Sequence, residues 1–283
     1  MSSNTKKLII FSAILILLSA LFSGLVRSTV RFAFGGFDSA KQVTKSYNIN
    51  GNIEEISIET DKCNISVLPA KDGKAQVVRT GSSGNRFSLK TAGKKVMISE
   101  KDSRFRLFGL GSYSGKSEIT VYLPEQTYKS LKIKSSTGTT NVRTGSGFEE
   151  IEIKTNTGTI DLAAVTVSDD LEVQTTTGKV TLADIRTEDL SVKSNTGSIH
   201  LKNVITAEEM EIKNDTGSVD LEKCDGSKIN IKTDTGRITG TLLSGKTFDA
   251  RSGLGHVSVP VSTPGGLCTL RSDTGSITIG IEN

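Results

Sequence analysis

The sequence predicts an all-β fold, a single-chain parallel β-solenoid (β-helix) of about eight to nine coils with a 19–20 residue period, preceded by one transmembrane helix. Three observations carry that prediction. Between Leu131 and Asn283 one phrase recurs eight times, apolar-x-apolar-basic, a polar triplet ending in glycine, then x-apolar-x-apolar. Its glycines are Gly138, Gly158, Gly178, Gly197, Gly217, Gly236, Gly255 and Gly275, spaced 19 or 20 residues apart, and a fixed period in this range marks stacked repeats. Each copy alternates strictly on both sides of its corner, as in Leu171-Glu-Val-Gln-Thr-Thr-Thr-Gly178-Lys-Val-Thr-Leu182, so each is two short strands meeting at a turn. Leu8 to Val26 carries no charge.

That uncharged run fixes the first element. At about 1.5 Å per residue it reaches roughly 28 Å, enough to cross a hydrocarbon core and longer than the apolar region of a cleaved signal. Residues 1–30 are therefore the cytoplasmic tip and anchor. Basic residues flank the segment on both sides, so orientation rests on the polar character of the long C-terminal part, which suits the outer side. Residues 31–46, with Phe32, Phe34, Gly35, Gly36 and Phe37, read as a juxtamembrane linker able to lie on headgroups.

The domain spans 47–283. A degenerate copy at Ile56 to Val67 opens it, with Cys63 where the glycine would be and therefore expected at an exposed turn. Residues 69–118 break the period with short strand-like runs and a Gly/Ser-rich loop from Phe108 to Gly115, as expected of a cap over one end of a stack. The pattern resumes at Glu118-Ile-Thr-Val-Tyr-Leu-Pro124 and then runs through the eight regular copies. The chain stops just after the last copy, so that coil is expected to form the open end, blunted by Pro260, Pro264 and neighbouring glycines.

Aligned copies become columns. Leu131, Ile151, Leu171, Leu190, Met210, Ile229, Phe248 and Cys268 share one inward position, and Ile133, Ile153, Val173, Val192, Ile212, Ile231, Ala250 and Leu270 the next. Two further columns lie beyond the corner, and a fifth joins Val165, Ile185, Val204, Cys224 and Leu243. About five such side chains per coil, at roughly 1.5–3 kcal/mol each, do not offset an ordering cost of about 1–2 kcal/mol per residue. One coil cannot fold alone, and stacking is obligatory. Glycine supplies the corner, and the threonines before it are expected to form hydroxyl ladders.

The outward face carries one row with a candidate function: Lys134, Lys154, Lys193, Lys213, Lys232, Arg251 and Arg271. At a coil pitch of roughly 4.8 Å these cations stand within a Debye length of about 8 Å. They form a possible stripe for an anionic ligand, or a face neutralised by Glu152, Glu172, Glu211 and Asp249 two residues earlier. A formal net charge of +4 gives no support to nucleic acid as a partner. Three cysteines make no disulfide framework, and Cys224 and Cys268 fall in core columns. The two histidines, His200 and His256, show no recurring nucleophile or carboxylate partner in the pattern. Asp161 and Asp220 share an outer column with Thr181 and His200, too irregular for repeated calcium turns. No catalytic, cofactor-binding or metal-ligating set is predicted.

The repeated Leu-x-Ile-x-Thr-x-Thr-Gly-x-Ile-x-Leu phrase, behind one N-terminal hydrophobic segment and an Ile-Thr-Val-Tyr-Leu-Pro124 strand, resembles the bacterial putative-adhesin solenoid domain, and more narrowly the LiaG-like proteins. The resemblance implies a membrane-anchored surface protein linked to the cell-envelope stress response, and it brings no site residues. The resulting expectation is a non-enzymatic binding or scaffold protein of the cell membrane, single-pass, with its C-terminal domain outside. Its expected partners are the membrane and an anionic wall polymer or envelope protein. The alternatives are a carbohydrate-active β-helix enzyme and a membrane-proximal sensor acting through a protein partner.

Overall fold

A computed structural model describes residues 42–102 and 117–282. The predicted anchor and most of the predicted linker lie outside the described residues, as does the Phe108 to Gly115 loop. Among the described residues no helix is long and apolar enough to cross a membrane. The domain is all strand, with no helix among the described residues.

The chain first runs through β1 (Gln42–Asn48), β2 (Glu55–Lys62), β3 (Asn64–Pro69), β4 (Gln76–Ser82), β5 (Arg86–Ala92), β6 (Lys95–Lys101) and β7 (Glu118–Leu123). Seven two-strand coils come next, of which the first four are β8/β9 (Thr127–Thr137, Thr140–Val142), β10/β11 (Gly147–Thr157, Ile160–Val167), β12/β13 (Asp170–Thr177, Val180–Thr187) and β14/β15 (Asp189–Thr196, Ile199–Thr206). The remainder are β16/β17 (Glu209–Thr216, Val219–Cys224), β18/β19 (Lys228–Thr235, Ile238–Leu242) and β20/β21 (Thr247–Leu254, Val257–Ser258), and β22/β23 (Leu267–Thr274, Ile277–Ile281) closes the chain as an eighth.

All coils stack in parallel, one strand of each on either side of the glycine corner. On the first side the order is β6, β2, β8, β10, β12, β14, β16, β18, β22, β20. On the second it is β7, β3, β9, β11, β13, β15, β17, β19, β23, β21. The predicted inward columns are in register, Leu131 against Ile151, Ile151 against Leu171, and onward to Cys268 against Phe248. The fifth column needs one correction. A register shift after Leu221 puts Leu242 beside Cys224, so Leu242 is buried and Leu243 is exposed.

Both ends depart from the expected order. At the start, β6 and β7 belong to the stack itself and lie outside β2 and β3, while only β1, β4 and β5 are cap, paired antiparallel. β1 begins at Gln42, inside the stretch read as linker. At the finish, the last coil does not form the open end, because β22/β23 inserts between β18/β19 and β20/β21. The open coil is therefore the one with Phe248 and Val257. Ser262 Oγ accepts from the Phe248 N–H across its outer edge, so the Pro260 to Gly266 return segment covers part of that edge. The exposed large apolar side chains among the described residues, Leu243, Leu254, Val261 and Leu267, gather in this region.

The glycine corner is a column of backbone contacts. A Cβ on Gly158 would overlap the carbonyl of Gly138, one on Gly178 that of Gly158, and so on through Gly236, Gly275 and Gly255. The Leu254-Gly255 corner, which lacks the usual threonine, continues this column, with Leu254 in register with Thr274. The column ends at Cys63, on whose carbonyl Gly138 packs. Cys63 is buried, contrary to the expectation of an exposed turn, because its thiol turns inward toward Ser117 and Glu100 of the coil packed outside β2 and β3.

The expected hydroxyl ladder also shifts. Thr137, Thr157 and Thr177 are exposed, and their carbonyls bind the neighbouring coil, as Gly138 N–H does to Thr157 O at 3.1 Å. The buried polar column lies two residues earlier: Ser135, Thr155, Thr175, Ser194, Asn214, Thr233 and Ser272. A second bend has no glycine signal. Ala164, Asp184, Asn203 and Lys223 take positive φ of 54°, 55°, 51° and 55° in successive coils, turning the chain toward its short third side. Such a conformation costs an L-residue roughly 1–2 kcal/mol, and here it is held by strand pairing on both sides.

Candidate functional site

The predicted cationic row forms on the first side of the stack. Strand pairing puts Lys134 beside Lys154, then Gln174, Lys193, Lys213, Lys232, Arg271 and Arg251, the last two in reversed order because of the inserted coil. Glu152, Glu172 and Glu211 stand in the neighbouring outward row. Lys154 Nζ is 2.8 Å from Glu152 and 3.0 Å from Glu172, and Lys213 is 2.6 Å from Glu211. Lys134 reaches Glu152 at 4.0 Å, Lys232 reaches Asp234 at 3.2 Å, and Arg251 and Arg271 both engage Asp249. Lys193 makes no ion pair among the described residues.

These contacts move protonation in the direction of mutual charging. The Lys154 ammonium holds the Glu152 carboxyl below the usual carboxylate range, and Glu152 with Glu172 raises Lys154. Arg271 does the same for Asp249. Solvent screens such exposed pairs, and they add little to stability. The row is thus not a bare basic stripe but a two-signed face with a fixed repeat.

Beside it runs an acidic groove of about 430 Å³, lined by Glu150, Asp170, Asp189, Glu209 and Glu211, with Lys193 at its edge. Burial and then the adjacent Asp169 and Asp189 raise the Asp170 carboxyl above its ordinary value. Near the open end lies a cleft of about 500 Å³ built from three glycine-bearing turns. Lys246, 5% exposed, sits there 2.5 Å from Asp225 and 2.8 Å from Ser244 Oγ. Burial alone would raise the Asp225 carboxyl, but Lys246, Ser244 and the Gly226 N–H hold it below the usual range. No group of three metal-ligating side chains occurs among the described residues.

The outer row on the second side is more ordered than the sequence pattern suggests. Asp161, Thr181, His200, Asp220 and Thr239 do align. Asp161 is occupied by Arg143 at 2.8 Å. His200, for which the repeat pattern shows no partner, lies between Ser198 and Asp220. The period does carry this signal, since one coil separates His200 from Asp220 and two residues separate it from Ser198 on the same face.

A family model described as Toastrack DUF4097 matches residues 53–283. The chain belongs to that family. The Toastrack domain here shares its fold with two solved proteins of Parabacteroides distasonis. One is described as a putative adhesin (13% identity, covering 84% of this chain and 97% of that one, TM-score 0.51), the other as a putative lipid binding protein (14%, 85% and 97%, 0.50). A putative adhesin of Bacteroides fragilis is also similar (17%, 85% and 97%, TM-score 0.42). No curated protein matches the chain. At these identities the likeness is one of fold.

Proposed function

We propose that this protein is a binding or scaffold module held at the outer face of a cell membrane by Leu8 to Val26, with the two-signed sheet face as its contact surface. The observation that supports this is the in-register row from Lys134 to Arg251. Charges fixed at roughly 4.8 Å pitch on a rigid sheet suit a repeating charged polymer or an envelope protein, which can exchange ion pairs with the face without a deep pocket. Lys193, lacking an ion pair among the described residues, is the point where an anionic group gains most. The family resemblance to LiaG-like proteins extends the reading to the envelope stress response.

The test is retention of the full-length protein on isolated cell walls as salt rises, with anionic vesicles as a second arm. Substituting Lys193, Lys213 and Lys232 by Gln is expected to reduce wall retention several-fold at low salt, with the difference closing as screening increases. Equal retention of wild type and variant at every salt concentration eliminates the stripe as the contact surface. Retention on vesicles but not walls assigns the face to lipid headgroups, the chemistry that the Parabacteroides distasonis lipid binding protein carries in its description.

A further inference from the structure

Ser198 stands one residue beyond the Gly197 corner, His200 is the second residue of β15, and Asp220 the second residue of β17 in the next coil. Strand register places His200 beside Asp220. The imidazole then uses its two nitrogens in opposite directions, with Nδ1 3.2 Å from Asp220 Oδ2 and Nε2 3.1 Å from Ser198 Oγ. Asp220 is itself held, since Ser218 Oγ donates to Oδ2 at 3.3 Å and Thr239 Oγ1 donates to Oδ1. Nδ1 lies within ion-pairing distance of the carboxylate, and in the tautomer protonated at Nδ1 the Nε2 lone pair faces the serine hydroxyl, which is the connectivity of an activated nucleophile.

We propose that Ser198, His200 and Asp220 form a nucleophile, base and orienting carboxylate that cleave acyl esters presented on an extended polymer. Ser198 Oγ bonds to the ester carbonyl carbon while its proton passes to His200 Nε2. The alcohol then leaves as its C–O bond breaks, taking that proton from Nε2. Water attacks the resulting acyl-serine, giving its proton to Nε2, and the carboxylic acid departs as Ser198 Oγ recovers the proton, so ester and water become acid and alcohol. The Ser198 N–H has no hydrogen-bond partner among the described residues, and Lys179 occupies the same post-glycine position one coil earlier. A free N–H on the nucleophile's own residue is one donor that a developing oxyanion can use.

Substrate class is set by shape. The His200 and Asp220 side chains are 37% and 40% exposed, on an open sheet face outside both clefts, so nothing encloses a small molecule. An ester on a chain lying along the face can be held by neighbouring coils instead. Asp220 acts through His200 and is a positioning residue. The unit is independent of the cationic row, which lies on the other side of the corner.

The test is labelling of the full-length protein with a fluorophosphonate probe, with peptide mapping, and turnover of p-nitrophenyl acetate. Wild type is expected to label at Ser198 and to hydrolyse the ester. S198A should lose both, H200Q should label at least about 100-fold more slowly, and D220N should slow labelling with an unchanged melting temperature. S276A, at a glycine corner without an imidazole, should match wild type. Failure of Ser198 to label faster than Ser276, or equal labelling of wild type and H200Q in folded protein, overturns the proposal.

Discussion

Gly178 packs against Gly158 so closely that a Cβ on Gly178 would overlap the Gly158 carbonyl, and its φ of +152° is one that L side chains rarely adopt. Gly178→Ala must therefore separate two coils in mid-stack. A loss of at least about 3 kcal/mol is expected, in the range reserved for backbone overpacking. Gly73→Ala is the comparison, because at φ +66° nothing lies within 4 Å of its Cβ. That change should cost about 1–2 kcal/mol, the left-handed backbone penalty alone. Urea midpoints of the two variants decide between close packing and mere turn preference as the reason for the corner glycines.

Arg79 and Glu100 form the ion pair that fixes the cap, both nearly excluded from water and 3.0 Å apart. Ser117 donates to Glu100 at 2.6 Å, Asn85 donates at 2.9 Å, and the Arg79 guanidinium lies 5.9 Å from the Phe87 ring centre. Arg79→Met strands a buried carboxylate and is expected to cost about 3–5 kcal/mol. Replacing both partners by apolar residues should cost less than replacing Arg79 alone, as chemical denaturation of the single and double variants will show.

The same pair gives the cap an acid limit. Burial pushes the Glu100 carboxyl up, but its bonds from Arg79, Ser117 and Asn85 prevail and hold it below the usual range. A depressed carboxyl contributes stability that is complete above its unfolded value of about 4.3 and is lost as pH falls through its lower folded value. Hydrogen exchange in β4 and β5 should thus accelerate below about pH 4.3 before exchange in β12 to β16 does. Simultaneous loss would show that the cap and the coils unfold as one unit.

Burial pushes the thiols of Cys63, Cys224 and Cys268 up to about 12, 11 and 12. None is expected to react with Ellman's reagent at pH 8 in the native state, and all three should react after unfolding. Rapid native labelling of Cys63 would mean that β6 and β7 separate from β2 and β3.

The columns were legible in the sequence because each coil repeats the same inward positions, so Leu131, Ile151 and Leu171 announce their own register. The order of the coils was not. Nothing in a periodic phrase states that β22 will enter between β18 and β20, since either order buries Phe248 or Cys268 against Ile229. Cys63 misled because its thiol turns inward against Ser117 and Glu100 of the outer coil, a contact that the degenerate copy at Ile56 to Val67 does not announce. The left-handed bends at Ala164, Asp184, Asn203 and Lys223 left no common residue type. The Ser198, His200 and Asp220 cluster was hidden for a different reason. Its members sit in aligned columns, but their chemistry depends on contact between adjacent coils, which comparison of whole columns obscures.

Thr175 and Thr233 share one buried column and have no exposed surface, yet their hydroxyls differ. Thr233 Oγ1 donates to the Gly217 carbonyl at 3.3 Å, while the Thr175 hydroxyl finds no hydrogen-bond partner among the described residues. Valine matches threonine in shape, so Thr→Val isolates the hydroxyl at each place. At Thr175 the change relieves an uncompensated buried polar group and should stabilise the fold by about 1 kcal/mol. At Thr233 it removes a hydrogen bond and should destabilise by about 1 kcal/mol. The Gly217 carbonyl still accepts from Asn214 Nδ2 at 2.9 Å, which keeps the loss below that of a fully stranded acceptor. Opposite signs in chemical denaturation would establish that corner carbonyls, rather than a continuous hydroxyl ladder, are what this polar column serves. Equal destabilisation by both substitutions would instead mean that the Thr175 hydroxyl is bonded within the coil.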